Sequence, residues 1–113
     1  MVRRGSNAQI IKGLLDTLVL RVLVRGEDYG FGIVREVNFQ IGRDRELLRA
    51  ATLYPLLHRL ESKGLLKSYW RAGQRGTDRK YYRITEQGRD YLKERIKDWR
   101  EVTRILEEIV LEN

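Results

Sequence analysis

Tyrosine, proline, histidine and arginine side chains are gathered in the run "ATLYPLLHRLESKGLL", Ala51 to Leu66. Their chemistry is that of holding an anion rather than of making or breaking bonds. Leu53, Leu56, Leu57 and Leu60 fall on one helical stripe, which leaves Thr52, Tyr54, Pro55, His58 and Arg59 for the other faces. Proline has no N–H and is tolerated in the first turn of a helix, so Pro55 predicts a start near Ala50 to Thr52. An outward-facing helix start offers unpaired amides and a partial positive charge to phosphate. Thr52 and Tyr54 add hydroxyls there, and His58 and Arg59 lie one turn further along. A second set of cations follows: Arg71, Arg75, Arg79, Lys80 and Arg83 against one acid, Asp78. Alone, these suit a solvated hairpin edge guarded by charge. Beside a helix that presents its start to phosphate, they suit phosphate contact at Arg75 and Arg79.

Other chemistries lack their parts. The 113 residues contain no cysteine and one histidine, so disulfides, Cys/His zinc cages and histidine-dependent catalytic dyads are excluded. No nucleophile, base and metal ligands converge in the sequence, and neither an enzyme nor a cofactor or metal is expected. The net charge is +7, unevenly spread: residues 1–85 hold 17 Lys and Arg against 8 Asp and Glu, residues 86–113 hold 6 against 8. A basic front of that kind suits a polyanion, most simply nucleic acid. The start, "MVRRGSNAQI", has no apolar run of signal-peptide length, and no window approaches about 18 apolar residues. A cytoplasmic location with no membrane partner is expected.

The elements that must position these residues follow from periodicity. Ile10, Ile11, Leu14, Leu15, Leu18, Val19, Val22 and Leu23 predict a helix over Gln9 to Val24. "RGEDYG" breaks it. A shorter helix over Gly30 to Asn38 would bury Phe31, Ile33, Val34 and Val37, and "FQIGRDRE" reads as a loop. The third helix holds the opening run, with Gly64 as the left-handed residue after its last turn. "LKSYWR" (Leu66 to Arg71) and "RKYYRI" (Arg79 to Ile84) flank the turn "AGQRGTD" and predict a β-hairpin. Thr85 is the expected N-cap of a long last helix, with Glu86 favouring its dipole. Leu92, Ile96, Trp99, Thr103, Leu106 and Val110 recur at coiled-coil spacing, widened by Val102, Ile105 and Ile109. The fold class expected is mostly α (α+β): a winged helix-turn-helix over residues 1–85 and a C-terminal dimerisation helix over 86–113. In such a module the third helix lies in the major groove and the hairpin is a wing.

"LLDTLVLRVLVRGEDYGFGIVREV", "ATLYPLLHRLESKGLL" and "DRKYYRITEQGRDYL" resemble, in order, the three sequence blocks of the PadR family of transcriptional regulators. The chain departs from the family pattern at Gly32, where an acidic residue is common, and at Arg49 or Ala50, where serine or asparagine often starts the third helix. The resemblance implies a homodimer, joined through the last helix, that binds pseudo-palindromic promoter DNA and represses. By position, Tyr54 matches the family's phosphate-contacting tyrosine, and Lys80 and Tyr81 match the returning strand of the wing. With one helix after the wing, the chain resembles the short branch, which includes multidrug-sensing repressors. That branch implies that Trp99, with Ile96 beside it, stacks a small flat aromatic or hydrophobic effector near the dimer axis. The dimer seam would comprise Leu92, Ile96, Trp99, Val102, Leu106 and Ile109. A winged-helix protein-interaction or architectural module with neither operator nor inducer is the alternative, separated from a regulator by salt dependence together with sequence preference.

Overall fold

A computed structural model describes residues 4–42 and 47–112, with side chains from Ile10 onward. Helix α1 (Arg4–Arg25) is followed by a two-residue strand β1 (Asp28–Tyr29), α2 (Gly30–Ile41), α3 (Ala50–Ser62), β2 (Leu66–Arg71), β3 (Arg79–Ile84) and α4 (Glu86–Ile105). The sheet is antiparallel, in the order β1-β3-β2. Val19 and Leu20 of α1, Ile33 and Val37 of α2, Leu53, Leu57 and Leu60 of α3 and Leu66 of β2 are fully buried together. Each such side chain contributes about 1.5–3 kcal/mol by leaving water. This three-helix core with a β-wing and a trailing helix is the winged helix-turn-helix arrangement.

The end of α3 follows its local sequence closely. Gly64 has φ +79°, its amide donates to the Glu61 carbonyl (2.9 Å) and the Leu65 amide reaches back to the Leu60 carbonyl (3.0 Å). That pair of bonds is a Schellman stop, sealed by two buried leucines, Leu60 and Leu65. Thr85 then joins two elements. Its hydroxyl accepts from the Gly88 amide (2.9 Å), capping α4, and donates to the Gly64 carbonyl (2.7 Å) at the end of α3.

Several expectations are corrected. "RGEDYG" does not only break a helix: Asp28 and Tyr29 pair with Tyr82 and Tyr81 of β3, so the hairpin becomes a three-stranded sheet. Phe31 is 61% exposed rather than buried. Helix α2 runs three residues past Asn38, and residues 43–46 of the expected loop lie outside the described residues. The apolar stripe of α1 begins later than expected, because Ile10 is exposed. Leu92 is buried in the core of its own chain, so it is not part of an outward seam. Beyond Ile105 the backbone changes to a π turn over Leu106–Val110, closed by the Leu111 amide on the Leu106 carbonyl (2.7 Å). The wider turn shifts the side chains that follow it, so the spacing through Leu106 and Val110 is not one continuous α-helical stripe. Val102, Ile105, Leu106, Ile109, Val110 and Leu111 are all exposed.

Candidate nucleic-acid interface

The head of α3 is held by α2. The Asn38 amide nitrogen donates to the Leu48 carbonyl (2.8 Å) and its amide oxygen accepts from the Leu48 amide (2.9 Å), which brackets the connection from α2. Leu48 is itself fully buried. Arg49 is extended at the N-cap, and its carbonyl accepts from the amides of Thr52 (3.0 Å) and Leu53 (2.8 Å). The helix therefore starts at Ala50, inside the expected window. Pro55, however, is its sixth residue and lies past the first turn. Lacking an N–H, it leaves the Ala51 carbonyl without its ladder donor, so proline here costs a hydrogen bond instead of sparing one.

Thr52, Tyr54, Pro55 and His58 are exposed along the outer side of α3. Tyr54 is 51% exposed, and its ring crosses Gly30 at the start of α2: a Cβ on Gly30 would stand 2.4 Å from the phenol oxygen. A cavity of about 470 Å³ opens beside it, lined by Phe31, Val34, Arg49, Ala50 and Tyr54. The Arg35 guanidinium lies 5.3 Å from the Phe31 ring centre. The departure at Gly32 has a local cause, since a Cβ there would stand 2.2 Å from the Asp28 carboxylate. Asp28 thus supplies negative charge to the first turn of α2 from outside the helix. Arg59 does not join the outward set. Its guanidinium pairs with the partly buried Asp16 carboxylate of α1.

The wing divides its cations between two faces. Tyr29, Tyr81 and Tyr69 stand side by side across the three strands, with ring centres 5.6 and 6.0 Å apart. The Arg71 guanidinium lies 4.2 Å from the centre of Tyr81, and that of Arg79 lies 4.4 Å from Tyr29. Arg79 is therefore stacked on the face turned away from the core. Lys80 alternates to the other face, 5.9 Å from the Tyr82 ring. Arg75 is exposed at the tip with φ +59°, a left-handed conformation uncommon outside glycine, asparagine and aspartate.

Trp99 sits between α1 and α4. Its Nε1–H donates to the Thr17 hydroxyl (2.9 Å), which in turn donates to the Gly13 carbonyl (3.1 Å). Cavities of about 390 and 260 Å³ open on either side of it, the larger also lined by Leu14, Ile96 and Thr103. Ile96 and Trp99, which sequence spacing puts on one helical face, line the larger cavity together, and spacing gives no sign of Thr17. Asp16 and Thr17 have partners far along the chain and Asn38 bonds across a loop to Leu48, and no local pattern marks any of them. Among the described residues no helix is long and apolar enough to cross a membrane.

A family model described as "Transcriptional regulator PadR-like family" matches residues 19–94. The match takes in α2, α3, the wing and the first turns of α4 and stops short of Trp99. A transcriptional regulator from Clostridium thermocellum has a similar structure, with a TM-score of 0.80 at 31% identity over 90% of this chain and 98% of that one. A PadR family regulator from Eggerthella lenta is 37% identical over 92% of this chain and 91% of its own, with a TM-score of 0.72. An uncharacterized protein of Lysinibacillus sphaericus is 37% identical over 100 residues, 88% of this chain and 91% of that protein.

Proposed function

The chain belongs to the PadR-like family of transcriptional regulators, which are not enzymes, and from that premise we propose that it is a homodimeric repressor of pseudo-palindromic promoter DNA. Residues 1–85 serve as the DNA-binding unit and residues 86–113 as the dimerisation helix. The observation that carries the reading is the outward head of α3, where Thr52, Tyr54, Pro55 and His58 are exposed together, with the basic wing beside it. The Ala50 and Ala51 amides at that head and the Thr52 and Tyr54 hydroxyls suit phosphate, and His58 one turn further suits a base edge. Arg75 and Lys80 extend the phosphate contact. Arg79, stacked on Tyr29, keeps its N–H edge free for a phosphate, and Arg59 acts by holding α3 against α1. The dimer brings two copies of α3 about 34 Å apart, one turn of duplex.

A flat hydrophobic effector fits beside Trp99 and Ile96. With its N–H held by Thr17, the indole keeps a fixed orientation and offers its faces for stacking. An effector that prefers one spacing of the two recognition helices releases the operator, and one indifferent to spacing binds without regulating.

The test is a titration of duplex DNA across a range of salt with Tyr54→Phe and Arg75→Gly. Glycine at the wing tip keeps the left-handed backbone, so a change reports the lost guanidinium and not a misfolded turn. Both variants should weaken specific and random duplexes alike, and Arg75→Gly should lower the salt slope by about one unit per subunit. A chain that binds no duplex at low salt, or an arginine variant that alters only sequence preference, overturns the assignment.

A further inference from the structure

We propose that the wing lays Trp70 into the minor groove of duplex DNA, where the indole reads the narrow A·T groove and is turned away by the guanine amino group. The inference rests on the DNA-binding reading above and adds to it a residue that selects sequence.

Trp70 is 68% exposed, and among the described residues it has no ring or cation partner. Its orientation is fixed by the ladder. Leu66 pairs with Ile84, Ser68 with Tyr82 and Trp70 with Lys80, so these six alternate residues share one face of the sheet. The first two pairs lie against the core. Ser68 donates to the Glu61 carboxylate of α3 (2.6 Å), which places this face, and not the stacked-tyrosine face, next to the recognition helix. Tyr54, His58 and Glu61 follow one another at helical spacing along α3, and the Glu61–Ser68 bond carries that row onto the wing. Burial, then the Glu61 carboxylate and the Tyr54 phenol, raises the Tyr82 hydroxyl above its usual range, as expected of a group enclosed between α3 and the sheet. Beyond Tyr82 the same face continues into Lys80 and Trp70, past the end of the core. A duplex seated on the row of α3 therefore meets Trp70 and Lys80 next.

The opposite face shows why Trp70 is the residue left for a ligand. There Tyr29, Tyr69 and Tyr81 cover one another and are covered in turn by Arg71 and Arg79. Among the described residues Trp70 has no such cover, and a bare indole with its N–H donor beside the Lys80 ammonium suits a narrow slot lined by acceptors and flanked by negative charge. The minor groove is about 6 Å wide and admits a ring edge-on where a helix cannot enter. Its A·T floor presents only acceptors, adenine N3 and thymine O2, which match the Nε1–H donor. Guanine adds an amino group that both crowds the ring and opposes the donor. The narrow A·T groove also carries the stronger negative potential, which favours the Lys80 ammonium alongside.

Fluorine NMR of the full-length protein labelled with fluorotryptophan separates Trp70 from Trp99, the two tryptophans of the chain, with assignment by Trp70→Phe. The probes are short alternating A·T, I·C and G·C duplexes at low salt. Inosine·cytosine has the minor-groove edges of A·T and the major-groove edges of G·C, so it isolates the groove being read. The Trp70 signal should move with A·T and I·C and stay nearly fixed with G·C. Trp70→Ala should lose about ten-fold in affinity for A·T and I·C and little for G·C, the loss of one aromatic contact. Duplex binding that leaves the Trp70 signal in place, or I·C that behaves like G·C, overturns the inference while the DNA-binding reading stands. A protein that binds none of the three duplexes overturns both.

Discussion

Tyr54 lies across Gly30, and the contact makes a small residue of α2 answer for the position of a phenol on α3. A Cβ at position 30 would meet the phenol oxygen at 2.4 Å and two ring carbons within 2.9 Å. The ring is half exposed, so it can swing outward. Gly30→Ala should therefore cost about 1 kcal/mol of stability, measured by urea unfolding, yet weaken duplex binding as Tyr54→Phe does. Equal damage to folding and binding, or none to binding, would separate Tyr54 from the interface. At this scale the sequence was legible where a side chain's task is local. Tyr54 and His58 are outward because they lie off the leucine stripe. Arg59 also lies off it, but its partner Asp16 is 43 residues away, and nothing near either residue announces the pair. Phe31 misleads for a related reason: an aromatic at helical spacing reads as core, and only the packing of α2 against α3 leaves it outside.

The elements that carry their own stop and start signals are the ones that spacing and caps locate well. The Schellman stop at Gly64, the strands of the hairpin and the Thr85 cap depend on residues within a few positions of each other. Strand β1 does not. Two residues have no periodicity, and Asp28 and Tyr29 form a strand only because β3 offers them an edge and Tyr81 a ring. The π turn after Ile105 is equally silent in an apolar, acidic run that suits an α-helix throughout. The joint between α3 and α4 gives a graded test. Thr85→Ala removes the cap and the bond to Gly64, and should cost about 1–2 kcal/mol. Gly88→Ala should cost more, about 3 kcal/mol, because its Cβ would stand 2.2 Å from the Leu65 carbonyl oxygen, and backbone cannot swing aside. Thermal unfolding should rank the two in that order. The reverse ranking would show that α4 seats itself without close contact at Gly88.

The whole molecule is long and narrow, 58 × 31 × 23 Å. The wing carries Arg71, Arg75, Arg79, Lys80 and Arg83, whereas the far part of α4 and the π turn expose Val102, Leu106, Ile109 and Val110. An apolar run of that size suits a second copy of the chain. Ile109 is 68% exposed, so Ile109→Glu should leave the core intact and convert a dimer to monomers in sedimentation at micromolar concentration. A wild-type chain that sediments as a monomer, or a variant that remains dimeric, removes α4 from that role. Helix α1 packs against both α3 and α4 and holds each through consecutive residues. Asp16 grips Arg59 on α3, and Thr17 holds the indole of Trp99 on α4. Neighbours on one helix turn as a single rigid body, so any roll of α1 about its own axis displaces both grips at once. A shift of α1 would therefore be felt at α3 and at Trp99 together.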